Sequence, residues 1–281
     1  MGANRRSFIV ALAGLAAGFP ALAQTQLRPP VRVTLEARVA AGTPPVQDGL
    51  SWRVFGATVA EDGKLPLLGE ASGGTKSFDM TPGTYLVHVG YGFSGVVRKL
   101  TVGTSAMQET IVLNAGALQL NGVTAEDVKI APALLSFDVY SAEVDERGER
   151  QLIARAVKPG EIVPFPAGTF HVVSQYGKLN AEVRADIRVE AGKTTQATML
   201  HRAARMSFRL VKSAGGDAIA DTAWSIITES GDVITESSSA FPVFVLTEGN
   251  YTAIAKNDEK IYSRDFEVLA GVDTDVEILA E

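Results

Sequence analysis

The 281-residue sequence predicts an all-β fold arranged as three tandem antiparallel β-sandwich units. Three observations carry that expectation. Short segments alternate apolar and polar residues along the whole chain, a turn-plus-aromatic string returns three times, and no helical period persists. The strings are TPGTYLVHVGYG ending at Gly92, PAGTFHVVSQYG ending at Gly177, and TEGNYTAIAKND ending at Asp258. Gly83, Gly168 and Gly249 each precede an aromatic that opens a strand, and a tight turn there asks for the positive φ that glycine adopts freely. In the first copy Pro82 presets the backbone.

Each unit repeats the same order of segments. Early strands place a large aromatic in Leu50-Ser51-Trp52-Arg53-Val54, Leu135-Ser136-Phe137-Asp138-Val139 and Thr222-Ala223-Trp224-Ser225-Ile226, expected to plug the space between two sheets. Turns follow at Glu61-Asp62-Gly63-Lys64, Arg147-Gly148 and Ser230-Gly231-Asp232. Two alternating runs close each unit: VVRKLTV and QETIVLN, EVRADIRV and TQATMLH, SRDFEV and TDVEIL. By parity Tyr85, Val87 and Val89 face the core, as do Phe170 with Val172 and Tyr251 with Ala253. The count is about seven strands per unit, which fits a sandwich, and Ala125 to Ile130 is long enough for one helical turn. Boundaries are expected at Asn114-Ala115-Gly116-Ala117 and His201-Arg202-Ala203-Ala204, too short to act as flexible tethers, which gives units 24–115, 116–203 and 204–281 joined semi-rigidly. An outer-membrane barrel shares the alternation, but aromatic content is 7% and the last residues, Leu279-Ala280-Glu281, end on a charge.

Residues 1–23 read as a cleavable signal peptide. Arg5 and Arg6 precede the apolar run Phe8 to Leu22, and Ala21-Leu22-Ala23 stands ahead of Gln24. The run is rich in Ala and Gly and broken by Pro20, so a retained membrane anchor is not expected. Asn4-Arg5-Arg6-Ser7-Phe8-Ile9 also resembles a twin-arginine signal, departing from it at Asn4 and Val10, and the Sec and twin-arginine routes both lead to the periplasm or beyond. With no cysteine, lipid anchoring by acylated cysteine, disulfides and thiolate metal sites are excluded.

Net charge is −6, and cleavage after Ala23 leaves 24 basic against 32 acidic residues. That balance disfavours nucleic acid as a partner. The acidity is uneven, since residues 203–281 hold 14 acidic side chains and 6 basic ones. A solvated surface that resists aggregation accounts for this, and a basic or cationic partner is the alternative.

The run PGTYLVHVGY, followed by LTV and IVLNAGAL, resembles bacterial carboxypeptidase-regulatory-like or transthyretin-like (Ig-like) sandwich repeats of exported proteins, and the likeness recurs in all three units. It implies spacers, protein-binding modules or occasional glycan binders, without choosing among them. Some related surface domains form a Lys-to-Asn or Lys-to-Asp isopeptide bond with a Glu helper, but Val31 to Ala40 contains no Lys. The Asp-x-Ser-x-Ser metal site of von Willebrand A modules is also absent.

Catalytic chemistry finds no defensible constellation, so no catalytic residue, metal site or cofactor is expected. His88 and His171 are read as lying on opposite faces of equivalent strands and His201 near a boundary, without metal-ligand spacing. All three are expected to be surface or half-buried side chains. Ser94 lacks the Gly-x-Ser-x-Gly frame, and Ser213-Ala214-Gly215-Gly216-Asp217 lacks the phosphate-loop pattern. Asp273, Asp275 and Glu277, and Asp217 with Asp221, would converge on a cation only from an exposed face. The expected function is a non-enzymatic periplasmic interaction or scaffold protein that binds another envelope component. The alternative is a carbohydrate-binding or carbohydrate-processing protein using Tyr91, Phe93, Tyr176 and Tyr262.

Overall fold

A computed structural model describes residues 28–280; residues 1–23, expected to form a signal peptide, lie outside the described residues. Unit 1 comprises β1 (Val31–Arg38), β2 (Leu50–Gly56), β3 (Leu67–Gly73), β4 (Lys76–Met80), β5 (Gly83–Tyr91), β6 (Ser94–Val102) and β7 (Met107–Val112). Unit 2 comprises β8 (Ala115–Val123), β9 (Leu135–Val144), β10 (Arg150–Val157), β11 (Ile162–Pro166), β12 (Gly168–Tyr176), β13 (Glu182–Val189) and β14 (Thr194–Leu200). Unit 3 comprises β15 (Ala203–Val211), β16 (Thr222–Thr228), β17 (Val233–Ser237), β18 (Val243–Thr247), β19 (Gly249–Asn257), β20 (Lys260–Val268) and β21 (Thr274–Leu279). Single 3₁₀ turns at Ala125–Asp127 and Pro132–Leu134 interrupt the strands of unit 2.

Every unit pairs a three-stranded sheet with a four-stranded one. The orders are β4-β1-β7 with β3-β2-β5-β6, β11-β8-β14 with β10-β9-β12-β13, and β18-β15-β21 with β17-β16-β19-β20. The sandwiches are not wholly antiparallel, because the first and last strands of each unit run parallel side by side: β1 with β7, β8 with β14, β15 with β21. Alternation of apolar residues is the same in either direction, so the sequence pattern cannot report this pairing.

Period-2 patterning sorts the side chains as expected. Trp52 and Phe137 are fully buried and Trp224 nearly so, each at the centre of its own apolar cluster. Tyr85, Val87 and Val89 of β5 point inward, as do their counterparts Phe170 and Val172, and Tyr251 and Ala253. The positive φ expected of the recurring glycine is found in two of the three copies. φ is +159° at Gly168 and +145° at Gly249, values that L side chains rarely adopt, whereas Gly83 has no positive φ. In each copy the glycine Cα lies beneath the aromatic two residues on: a Cβ there would meet the ring of Tyr85, Phe170 or Tyr251 at 3.7–4.0 Å. Tyr85 Oη donates to the carbonyl of Thr81 at 2.7 Å, and Tyr251 Oη to that of Thr247 at 2.9 Å, tying each strand start to the preceding strand end. Phe170 fills the same place without that bond.

The two buried tryptophans differ in one hydrogen bond. Trp52 Nε1 donates to Gly74 O at 2.9 Å, whereas Trp224 Nε1 has no partner among the described residues. A buried unpaired donor costs about 1–3 kcal/mol. Trp52→Phe is therefore expected to destabilise the chain more than Trp224→Phe, which loses the same indole volume but also removes the orphaned N–H. Urea denaturation followed by tryptophan fluorescence on the complementary residue checks the order, and equal losses would contradict it.

Candidate functional site

The features that set this chain apart from three separate sandwiches lie at its two joints. At the first, the β5–β6 turn of unit 1 meets edge strand β11 of unit 2. Phe93 N donates to Pro164 O at 2.9 Å, and the Phe93 ring stacks on Phe165 with centroids 5.0 Å apart. Gly92, at φ +57°, permits the approach, since a Cβ would lie 2.7 Å from Pro164 O. At the second joint the β12–β13 loop of unit 2 meets edge strand β18 of unit 3. A Cβ on Gly177 would lie 2.7 Å from Val245 Cβ. Asn180 clamps this contact: its Nδ2 donates to Tyr251 Oη at 2.9 Å, its Oδ1 accepts from Thr247 N at 3.2 Å, and its carbonyl accepts from Thr247 Oγ1 at 2.9 Å. Leu179 packs against the core of unit 3 while Val245 belongs to that of unit 2.

The covalent crossings repeat as well. Leu113 N and His201 N donate to Arg38 O and Val123 O, and Ala167 N and Glu248 N to Asn114 O and Arg202 O, all at 2.8 Å. Ala115 is buried in the core of unit 1 and Ala203 in that of unit 2. With two residues between consecutive strands and these ladders around them, the joints have no free linker.

That correspondence exposes a polar pair the sequence reading missed. His201 occupies the place of core residue Leu113, and Ser174, six residues after Gly168, that of Val89. Ser174 Oγ and His201 Nε2 share a hydrogen bond at 2.7 Å, both residues being 0–1% exposed, with Tyr176 edge-on to the imidazole at 5.8 Å. The expectation of a surface or half-buried His201 is therefore wrong: its strand carries it inward at a core position. Although Ser and His are bonded, no carboxylate orients Nδ1, which lacks a partner among the described residues, and no opening reaches the pair. The signal was available only by aligning the two crossings, because 27 residues separate the two side chains.

His88 and His171 do not lie on opposite faces. Each stands an odd number of residues after its turn glycine, and both are half-buried on the outward face. His171 Nδ1 contacts Asp186 Oδ1 at 2.7 Å. The aromatics proposed for sugar stacking are mostly occupied. Tyr176 is buried, Tyr91 and Tyr262 pack partly on their units' cores, and Phe93 is committed to Phe165 although 45% exposed.

The acidic row of β21 faces the parallel partner β15. Asp273 accepts from Arg205 N at 2.9 Å, Asp275 pairs with Ser207, and Glu277 pairs with Arg209 and accepts from Gly215 N at 3.0 Å. Backbone donation from Gly215, together with Arg209, holds the Glu277 carboxyl below the usual carboxylate range despite opposing desolvation. In unit 1 the seam is centred on Glu36, which accepts from Thr110 Oγ1 at 2.8 Å, Gln108 Nε2 at 3.0 Å and Arg38. The first strands of the three units, β1, β8 and β15, all lack lysine. Among the described residues no group of His, Asp or Glu side chains is arranged to hold a metal ion, and no helix is long and apolar enough to cross a membrane.

A family model described as the Rhizobiales growth-associated tandem repeat domain matches residues 205–280, almost the whole of unit 3. No curated protein matches the chain. Among solved structures the chain is similar to the Bacillus anthracis TIE protein, with 14% identity and a TM-score of 0.25 over 89% of this chain and 51% of that one. It is also similar to a Streptococcal ancillary pilin (10% identity, TM-score 0.32, 89% and 98% covered) and to BcpA, the major pilin subunit of Bacillus cereus (10%, 0.24, 89% and 99%). The chain thus spans about half the length of the first of these. The family match agrees with a repeated unit, and none of these matches names a carboxypeptidase-regulatory family. At these TM-scores the fold rests on the chain's own sheets.

Burial pushes the His201 imidazole below the ordinary histidine range, partly offset by a backbone contact from Ala181. The unfolded chain then binds the extra proton more readily, so stability is fully present above about pH 6.5 and falls as pH drops through the lowered folded value. Replacing the pair by its unit 1 counterparts, Ser174→Val with His201→Leu, is expected to flatten that decline. Thermal melts between pH 7.5 and 5 check this, an unchanged slope being the contrary result.

Proposed function

We propose that this chain is a non-enzymatic exported scaffold whose three units, 24–115, 116–203 and 204–281, hold another cell-envelope component at fixed spacing after residues 1–23 are removed. The single observation that supports this reading is the joint: both crossings fix the next unit by backbone hydrogen bonds and a docked hairpin. The titratable groups considered for chemistry are taken up by structural pairs, Ser174 with His201 and Asp273, Asp275 and Glu277 with β15. Partners of such a scaffold are envelope proteins, with a glycan as the alternative class, and no nucleic acid. The repeat-domain match over unit 3 agrees with an array-building module. The resemblance to carboxypeptidase-regulatory-like repeats belongs with this proposal as a description of packing, not of chemistry.

Crosslinking in intact cells followed by mass spectrometry is the test. A reproducible envelope protein captured from outside the cytoplasm supports the scaffold, while polysaccharide hydrolysis by the purified chain, with no captured protein, overturns it. A glycan pull-down that depends on Tyr262 but survives loss of Phe93 would favour the carbohydrate alternative. Arg5→Lys with Arg6→Lys is expected to leave export intact on the Sec route and to abolish it on the twin-arginine route, read by fractionation of the processed chain.

A further inference from the structure

Each joint has two halves, a hairpin tip from one unit and an edge-strand position from the next. The tips that engage are Tyr91-Gly92-Phe93 and Tyr176-Gly177-Lys178, and the positions they meet are Pro164 and Val245. Both halves also occur where no unit is docked among the described residues. Nine residues after Gly249, where Gly92 follows Gly83 and Gly177 follows Gly168, stands Asp258, within Asn257-Asp258-Glu259. Four residues before Gly83, where Pro164 precedes Gly168 and Val245 precedes Gly249, stands Asp79.

Backbone geometry is kept at the unengaged tip while the chemistry changes. Asp258 has φ +53°, against +57° at Gly92 and +74° at Gly177. Glycine is the residue that adopts this conformation without strain, and Asp takes it at some cost. The joint cannot form around a side chain here, because a Cβ at either engaged glycine falls 2.7 Å from the opposing strand. Charge adds to the exclusion. Glu259 puts an acid where the engaged tips have Phe93 and Lys178, and Asp258 and Glu259 are both exposed. Asp79 is exposed as well, 3.5 Å from an equally exposed Arg32. A second copy arriving head to tail would bring Asp258 against Asp79 and desolvate two like charges.

We propose that Asp79 and Asp258 close the two joint halves that no described unit engages, so that this chain does not concatenate with copies of itself through the contact that links its own units. Repeat arrays need such polar outer faces to stay discrete. The device sits at the joint positions themselves and leaves the rest of both faces free for other partners.

Sedimentation of the purified chain from micromolar to millimolar concentration, at low and high salt, tests the wild type. It is expected to remain one species, and head-to-tail multimers crosslinked between β4 of one copy and the β19–β20 turn of another would overturn the proposal. The triple variant Asp79→Val, Asp258→Gly, Glu259→Phe restores the engaged chemistry. Its average mass is expected to rise with concentration by about twofold or more; a folded triple variant that sediments like wild type also overturns it. If that variant fails to fold, the reciprocal change decides: Gly92→Asp with Phe93→Glu puts the closing residues into a working joint. Since the chain has no cysteine, spin labels at Ser72→Cys and Gln151→Cys report the separation of units 1 and 2 alone. A broadened distance distribution supports the proposal, and an unchanged narrow one refutes it.

Discussion

Parallel pairing of the first and last strands is the constraint on which the rest of this molecule depends. Because β7 runs beside β1 in the same direction, the chain enters a unit at one end and leaves at the other. An antiparallel seam would return it to its entry point, and the next unit would fold back on the last. Leaving at the far end places Ala115 and Ala203 in the core just completed while their strands begin the next one. The hairpin at that same end is then in reach of the following unit's edge strand, which is why both joints use it.

Much of this organisation is legible in the sequence because the sandwich core is specified by period and by three large aromatics. Trp52, Phe137 and Trp224 mark equivalent strands, and the parity counted from the turn glycine sorts Tyr85, Val87 and Val89 inward. Counted from the same glycine, His88 and His171 fall at odd positions and share the outward face. What period cannot encode is direction and adjacency between distant strands. The β1–β7 pairing, the contact of Phe93 with Phe165 and the threefold clamp of Asn180 all join segments whose local patterns are ordinary. His201 stayed hidden for a related reason. A histidine within a polar boundary string looks exposed until its counterpart, Leu113, is seen to be core.

The side chains that suggested chemistry are distributed by the same logic. Residues two apart on β21 do share a face, as the acidic row implied, but that face meets β15 and its Arg209 and Ser207. Aromatics near hairpin ends are adhesive, and here the surfaces they adhere to are the neighbouring unit or their own core. Polar pairs in a low-dielectric interior carry little net stability when satisfied and a penalty when half-satisfied. Ser174–His201, where Nδ1 has no well-placed partner, is of the second kind, and the burial of its imidazole adds an acid-sensitive group to the core of unit 2.

The parallel seam also fixes how the array bears load. Tension applied through the chain pulls β1 toward its start and β7 toward its end, so the two strands are drawn lengthwise past each other. Register pairs from Val33–Met107 to Arg38–Val112 resist together instead of opening one by one, and β8–β14 and β15–β21 do the same in their units. With no cysteine in the chain and no lysine on β1, β8 or β15, the seams meet force with shear of hydrogen-bonded ladders reinforced by Glu36 and by the Arg209–Glu277 pair.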